Sequence, residues 1–202
     1  MAIPVMVMGE SGSGKSRSLK GFSKGELGVF NVSMKPFPFR AEFMSVNTDS
    51  YGAIINGLTK AQVPSLAIDD ATYLMTNEFM RTATEKGFEK FTNMALNFWN
   101  LIQFVIKQLP PNKIVYFLGH IDTDMSGKEK FKTVGKLLDE KITLEGMFTI
   151  VLKTVVKDGV YQFATQTNGM DTVKSPEGMF DSPLIENDLK KVDMAIRAFY
   201  GI

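Results

Sequence analysis

The run Gly9-Glu10-Ser11-Gly12-Ser13-Gly14-Lys15-Ser16 fits the pattern G-x-x-x-x-G-K-[ST] at every position, a spacing that suits a chain of phosphates. Gly9 and Gly14 are expected to take backbone shapes that a β-carbon forbids, with Gly12 letting the loop wrap closely. Successive N–H groups from Gly9 to Arg17, those of Glu10, Ser11 and Ser13 among them, then point inward as an anion nest. The nest would sit at the positive end of a helix running from Lys15 to Phe22. Lys15 places a cation against the β- and γ-phosphates, and the Ser16 hydroxyl serves as a ligand for magnesium. The ligands this chemistry implies are ATP and Mg2+.

Magnesium needs a second anchor. The apolar run Ser65–Ile68 ends in Asp69-Asp70, and an acid at such a strand end holds the metal through water. Asp70 either orients the attacking water or caps a helix that starts near Ala71. Glu78 is a reserve for the same role, or a solvated helix residue. His120, the one histidine, ends the run KIVYFL. It either senses the γ-phosphate or satisfies backbone groups at a strand end. Lys15, Asp70 and His120 make up the expected catalytic set.

These points must be positioned by regular elements. Apolar runs predict strands at Ile3–Met8, Leu27–Val32, Ser65–Ile68 and Lys113–Leu118. Helices are expected over Tyr51–Ala61, capped by Thr48-Asp49, and over Phe88–Leu109, ended by Pro110-Pro111. The Phe91–Ile106 stripe, Trp99 included, is core or subunit packing. Residues Lys35–Arg40 (KPFPFR) are extended, with Phe37 and Phe39 either core or an exposed docking patch. Ile121–Lys130 reads as a mobile polar loop and Thr133–Lys141 as a short helix. Phe148–Val156 and Val160–Thr165 form a hairpin about Asp158-Gly159. Glu186–Tyr200 closes the chain as a helix. Alternation of strands and helices over the first 120 residues gives an α/β fold: a mostly parallel sheet with helices on both faces and a C-terminal antiparallel hairpin, as one domain. The loaded points each follow a strand, so they should meet on one rim.

GESGSGKS, LAIDDATYLM, IVYFLGH and KFKTVGKLLDEKITLEGMFTIVL occur in this order over most of the chain. Together they resemble the phage-encoded AAA/RecA-core P-loop ATPases, including RecA-like single-strand annealing proteins of phage recombination. The resemblance implies a RecA-like P-loop core, ATP binding and hydrolysis, self-association into a ring or filament, and single-stranded DNA as partner. It carries nucleotide-binding roles to Lys15, Ser16 and Asp69, and a sensor role to His120. One departure matters: where RecA proper carries its catalytic glutamate, this chain reads VFNVS. The water-activating role then falls to Asp70, and hydrolysis is expected to be slow. The short apolar start lacks the layout of a signal peptide, so the chain is expected in the cytoplasm, that of an infected host cell if it is phage-encoded.

For DNA, Lys128, Lys130, Lys132 and Lys136 surround Phe131, a pattern in which ammonium groups meet phosphates while a base stacks on the ring. Lys136, Lys174 and, more weakly, Arg40 are alternatives for reaching a neighbouring subunit's nucleotide. The global charge gives no help, since 23 basic residues face 22 acidic ones, a net charge of +1. Absence of cysteine excludes disulfides, thiolate metal sites and a thiol nucleophile. No apolar stretch is long enough for a membrane span. Three rivals stay open. A small-molecule kinase would want an arginine-rich lid, an AAA-type helicase-loader switch would want a helical lid, and a nucleotide-binding scaffold would need no hydrolysis.

Overall fold

A computed structural model describes every residue except Lys136, with only the backbone described at Asp139 and Glu140. Its centre is strand β1 (Ile3–Gly9), where alternate side chains serve opposite faces of the sheet: Met6 and Met8 on one, Val5 and Val7 on the other. A strand buried on both faces can have no polar side, which is why IPVMVMG lacks alternation. The other parallel strands are β2 (Leu27–Asn31), β3 (Met44–Asn47), β4 (Ser65–Asp69), β5 (Ile114–Thr123) and β7 (Ile150–Lys157), with a short β6 (Glu129–Phe131) pairing antiparallel to β5. Strands β8 (Val160–Ala164) and β9 (Leu184–Glu186) extend the far edge antiparallel. The order across the sheet is β3-β2-β4-β5-β1-β7-β8-β9.

Helices α1 (Tyr51–Lys60), α2 (Thr72–Arg81) and α3 (Glu89–Gln108) cover one face through Ile54, Leu58, Leu74, Phe98 and Ile102. The other face is covered by α4 (Leu189–Tyr200), through Leu189, Val192 and Ile196, and by Leu19 and Phe22. Asp193 fixes α4 to the sheet: it accepts hydrogen bonds from Tyr116 Oη (3.0 Å), Arg197 Nε (2.6 Å) and the Ser65 hydroxyl. A buried carboxylate with three donors, one of them a guanidinium, is satisfied rather than stranded. Gly201, in the left-handed region at φ 69°, ends α4.

The expected mixed α/β sheet, mostly parallel, is present, and so is the hairpin about Asp158-Gly159, where both residues have positive φ (52° and 75°) as a tight two-residue turn requires. Several local expectations are corrected. Residues Ser16–Gly21 form a six-residue 3-10 helix, not an α-helix to Phe22. Ser18 Oγ bonds back to the Lys15 carbonyl at 2.5 Å, the local competition by which serine disfavours α-helix. Ser50 rather than Thr48-Asp49 caps α1. Asp49 instead holds Arg81 (2.6 Å) and Asn77 (2.9 Å) on α2. The loop 121–130 is largely a hairpin of β5 and β6, its turn held by Asp124 accepting from Ser126 and Lys128. Among the described residues of 133–141, helical backbone, of π type, covers Leu137–Lys141. No helix among the described residues is long and apolar enough to cross a membrane.

Candidate phosphate-binding site

Strand register brings the chemistry together. Gly9 lies beside His120 across β1 and β5, and Asn31 lies beside Asp69 across β2 and β4. Gly9–Ser16, Asp69-Asp70 and His120 therefore share the rim at the carboxyl ends of the parallel strands. Ser11, Gly12, Gly14, Lys15, Ser16, Arg17, Asp70 and His120 line a cleft of about 310 Å³ there.

The glycines divide their work differently from the sequence expectation. Gly12 (φ 77°) and Gly14 (φ 97°) hold left-handed backbone, the kind of turn on which an anion nest depends, but the Ser13 N–H expected in that nest is turned to the Glu10 carbonyl at 3.3 Å. Gly9 is needed for space: a β-carbon there would stand 1.8 Å from Thr154 Oγ1 on β7. Thr154 in turn meets Ser13 Oγ at 2.5 Å, and Ser13 Oγ donates to the Glu10 carbonyl at 2.6 Å, so β7 braces the loop from behind. With only six residues of 3-10 helix following, the loop's own amides rather than a helix dipole supply most of the positive field.

Lys15 is buried, its Nζ donating to the carbonyls of Gly9 (2.9 Å) and Glu10 (2.7 Å). Burial pulls its pKa below the ordinary lysine value, although Asp70, Asp69 and Glu10 oppose the fall. Ser16 Oγ donates to Asp69 Oδ1 at 2.9 Å. Burial, with the charge of Asp70 added, pushes the Asp69 carboxyl up to about 7. Ser16 and Lys15 counter that rise only in part. Asp69 thus sits in a place short of positive charge.

Asp70 holds left-handed backbone at φ 59°, a strained state for a residue with a side chain. It does not cap α2: the N-cap is Ala71, and no side chain bonds there. Burial works against its charge, but hydrogen bonds from His120 and Ser33 and the nearby charges hold its pKa below the ordinary value. His120 Nε2 is 3.5 Å from Asp70 Oδ1, its Nδ1 is 3.5 Å from Lys15 Nζ, and Tyr73 packs edge-on against the ring. Glu78 lies apart from the cleft, its Oε1 accepting from Asn97 of α3 at 2.7 Å. At the end of β2, where a glutamate was missed, Asn31 is buried and donates to the Lys35 carbonyl at 2.7 Å.

Four residues that line the cleft were not singled out in the sequence: Lys35, Pro38, Tyr73 and Tyr161. Lys35 Nζ lies 5.3 Å from the Tyr73 ring centre, and Arg17 Cζ lies 4.8 Å from that of Tyr161. A lysine three residues past a strand end was the one available signal. Phe37 and Phe39 pack with Phe43 against the core, and Arg40 is exposed.

The basic hairpin differs most from expectation. Phe131 is buried, stacked on Phe98 at 6.1 Å and filling the space beside Gly119, so it cannot receive a base. Lys128 is exposed at the turn, while Lys130 is half-buried and engaged. The Lys132 amide donates to the His120 carbonyl at 2.8 Å, and the residue lines an adjoining cleft of about 660 Å³ with Glu10, Thr72, Thr76 and Asp122. Lys174 is exposed, its backbone paired in both directions with Val151. Lys136 lies outside the described residues. Lys153 ties the hairpin to β7 by ion pairs of 2.6 Å to both Glu129 and Asp171.

No protein-family model and no curated protein sequence matches this chain.

Proposed function

We propose that the chain is a RecA-like P-loop ATPase that binds ATP with Mg2+ at Gly9–Ser16 and hydrolyses it slowly, acting as an oligomer on single-stranded DNA in phage recombination. One observation carries the nucleotide part: a buried ammonium (Lys15) and a hydroxyl–carboxylate pair (Ser16–Asp69) face the same amide-lined turn. A polyanion with a divalent cation answers both the surplus donors and the uncompensated Asp69.

The donor set fits magnesium. Among the described residues no group of three or more acids or histidines forms a self-sufficient metal cage. Magnesium is commonly held by one or two carboxylates plus phosphates and water. Ser16 and Asp69 would hold it, and it would supply neutralisation of charge developing on the phosphates. Lys15 exchanges its bonds to Gly9 and Glu10 for phosphate oxygens. Asp70, with its pKa lowered, is a weak base, so it orients the attacking water more than it removes a proton. His120 keeps that carboxylate in place and stands beside the terminal phosphate.

The DNA part rests on the family resemblance and on Lys128 and Lys132, exposed on the hairpin that leads out from His120. Self-association is favoured by β3, an edge strand whose four residues are all exposed, Met44 and Val46 among them. A small-molecule kinase is the second reading, because the adjoining cleft at the His120 end has room for an acceptor. Only Lys132 offers it a cation among the lining residues, and Arg81 and Arg197 are engaged elsewhere.

ATP turnover measured with and without single-stranded DNA, with molar mass in the same buffer, tests the proposal. Stimulation together with assembly supports it. A monomer indifferent to DNA removes the recombination role, and a folded Lys15→Ala protein with normal ATP affinity removes the phosphate site.

A further inference from the structure

Beyond the phosphate cleft, on the side away from His120, lies a second cleft of about 480 Å³. The two share Arg17 and Tyr161. Its wall is built where three elements meet. Tyr161 comes from β8, Asn187 follows β9 and donates its backbone amide to the Tyr161 carbonyl, and Asp188 caps α4. All of this lies against the phosphate loop: a β-carbon on Gly14 would stand 2.7 Å from the Tyr161 ring and 3.1 Å from Asn187 Oδ1.

Three observations point to a ligand. Asn187 is buried, and among the described residues neither its amide nitrogen nor its amide oxygen has a hydrogen-bond partner, a costly state for a group with four bonding positions. Tyr161 offers an aromatic face that already carries a planar cation, Arg17. The cleft's volume is within the usual range of about 300–1,000 Å³ for small-molecule sites.

Polarity of the nucleotide decides which cleft takes which end. Asp69, Asp70 and His120 mark the end where the terminal phosphate reacts. The loop leaves that end through Ser16 and passes to Arg17, so the rest of a bound nucleotide emerges at Arg17. We propose that the cleft of Arg17, Tyr161 and Asn187 is the nucleoside pocket, where adenine stacks on Tyr161 and is read by the Asn187 amide. The inference rests on the phosphate site described above. An amide gives one donor and one acceptor, which match the N6–H and N7 of adenine. Guanine offers two acceptors on that edge, so the pocket prefers ATP to GTP. The stacked base takes the place of the Arg17 guanidinium, which turns to the phosphate nearest the ribose.

Calorimetric titration of the full chain with Mg2+-ATP, Mg2+-GTP and inorganic tripolyphosphate tests this. Tyr161→Leu keeps bulk against Gly14 and should raise the Kd for ATP about tenfold or more, with tripolyphosphate changed less than about twofold. Tyr161→Phe should restore ATP binding, and Asn187→Leu should erase the preference for ATP over GTP. The pocket assignment is overturned if Tyr161→Leu leaves ATP affinity unchanged or weakens ATP and tripolyphosphate alike. It is equally overturned if Asn187→Leu keeps the preference. Wild-type protein that binds neither ATP nor tripolyphosphate would overturn the phosphate site itself, and the pocket with it. Binding of tripolyphosphate alone would overturn the pocket only.

Discussion

His120 Nε2 and Asp70 Oδ1 stand 3.5 Å apart, joining the strand beside the phosphate loop to the strained turn after β4. Asparagine tolerates left-handed backbone better than most residues, so Asp70→Asn should fold as the parent does. It should keep ATP affinity within about threefold while lowering turnover roughly 100-fold or more. Single-turnover hydrolysis checks it, and wild-type turnover in Asp70→Asn would take the water-orienting role away from this residue.

Asp69 carries an electrostatic cost in the ligand-free protein, because burial and Asp70 disfavour its charge. A carboxyl whose folded pKa is raised destabilises the fold wherever it must ionise. Asp69→Asn should therefore stabilise the ligand-free protein at pH 8 by about 1–3 kcal/mol. The same variant should lose the rise in Tm that Mg2+-ATP gives the parent. Thermal melts with and without the ligand report both, and a lower ligand-free Tm would contradict the first.

Gly9 and Gly12 should fail for different reasons. Gly9→Ala drives a methyl group into Thr154 and should destabilise by roughly 1–3 kcal/mol. Adding Thr154→Ala should recover part of that loss. Gly12→Ala meets nothing within 4 Å but holds positive φ. It should cost about 1 kcal/mol whatever stands at 154. Chemical denaturation of the three variants and the Gly12→Ala/Thr154→Ala pair forms the comparison.

Lys153, paired with Met8 on β1 and next to Thr154, gives a pH signature of its own. Burial disfavours its charge, yet the hydrogen bonds it donates to Asp171 and Glu129 outweigh that and raise its pKa above the ordinary lysine value of 10.5. Since the folded value is the higher one, the stabilisation is complete below about pH 10.5 and is lost as pH climbs through the folded value. Lys153→Met strands the Asp171 carboxylate, which is 1% exposed. It should cost roughly 3 kcal/mol at pH 8 and flatten the alkaline fall. Melts between pH 8 and 12 measure it.

What the sequence made legible was what local chemistry enforces. The glycine-rich turn at 9–16, the buried strands β1, β4 and β5, the long stripe of α3 and the Asp158-Gly159 turn each carry their cause within a few residues. Strand β3 escaped notice because all four of its residues are exposed and none turns an apolar side to the core. Strand β9 is three residues long and defined by its partner. Phe131 looked like a stacking platform among lysines, but the bare Gly119 and the ring of Phe98 draw it inward. Tyr161 and Asn187 reach the loop only through the folding of the chain's last third, and no spacing rule links them to Gly14. The 3-10 turn after the loop has a local cause, Ser18 bonding back to the Lys15 carbonyl, that the helix expectation passed over.

Strand β1 lies between β5 and β7, both made long after it. On the ribosome, its apolar residues have no neighbour to pair with until more than half of the chain has emerged. Thr154, which braces Ser13, arrives later still. Nascent protein therefore passes through a period in which GESGSGKS is already synthesised yet has no rigid frame. Under the function proposed above, competence to grip phosphate switches on late in synthesis, and until then a β-prone segment waits uncovered.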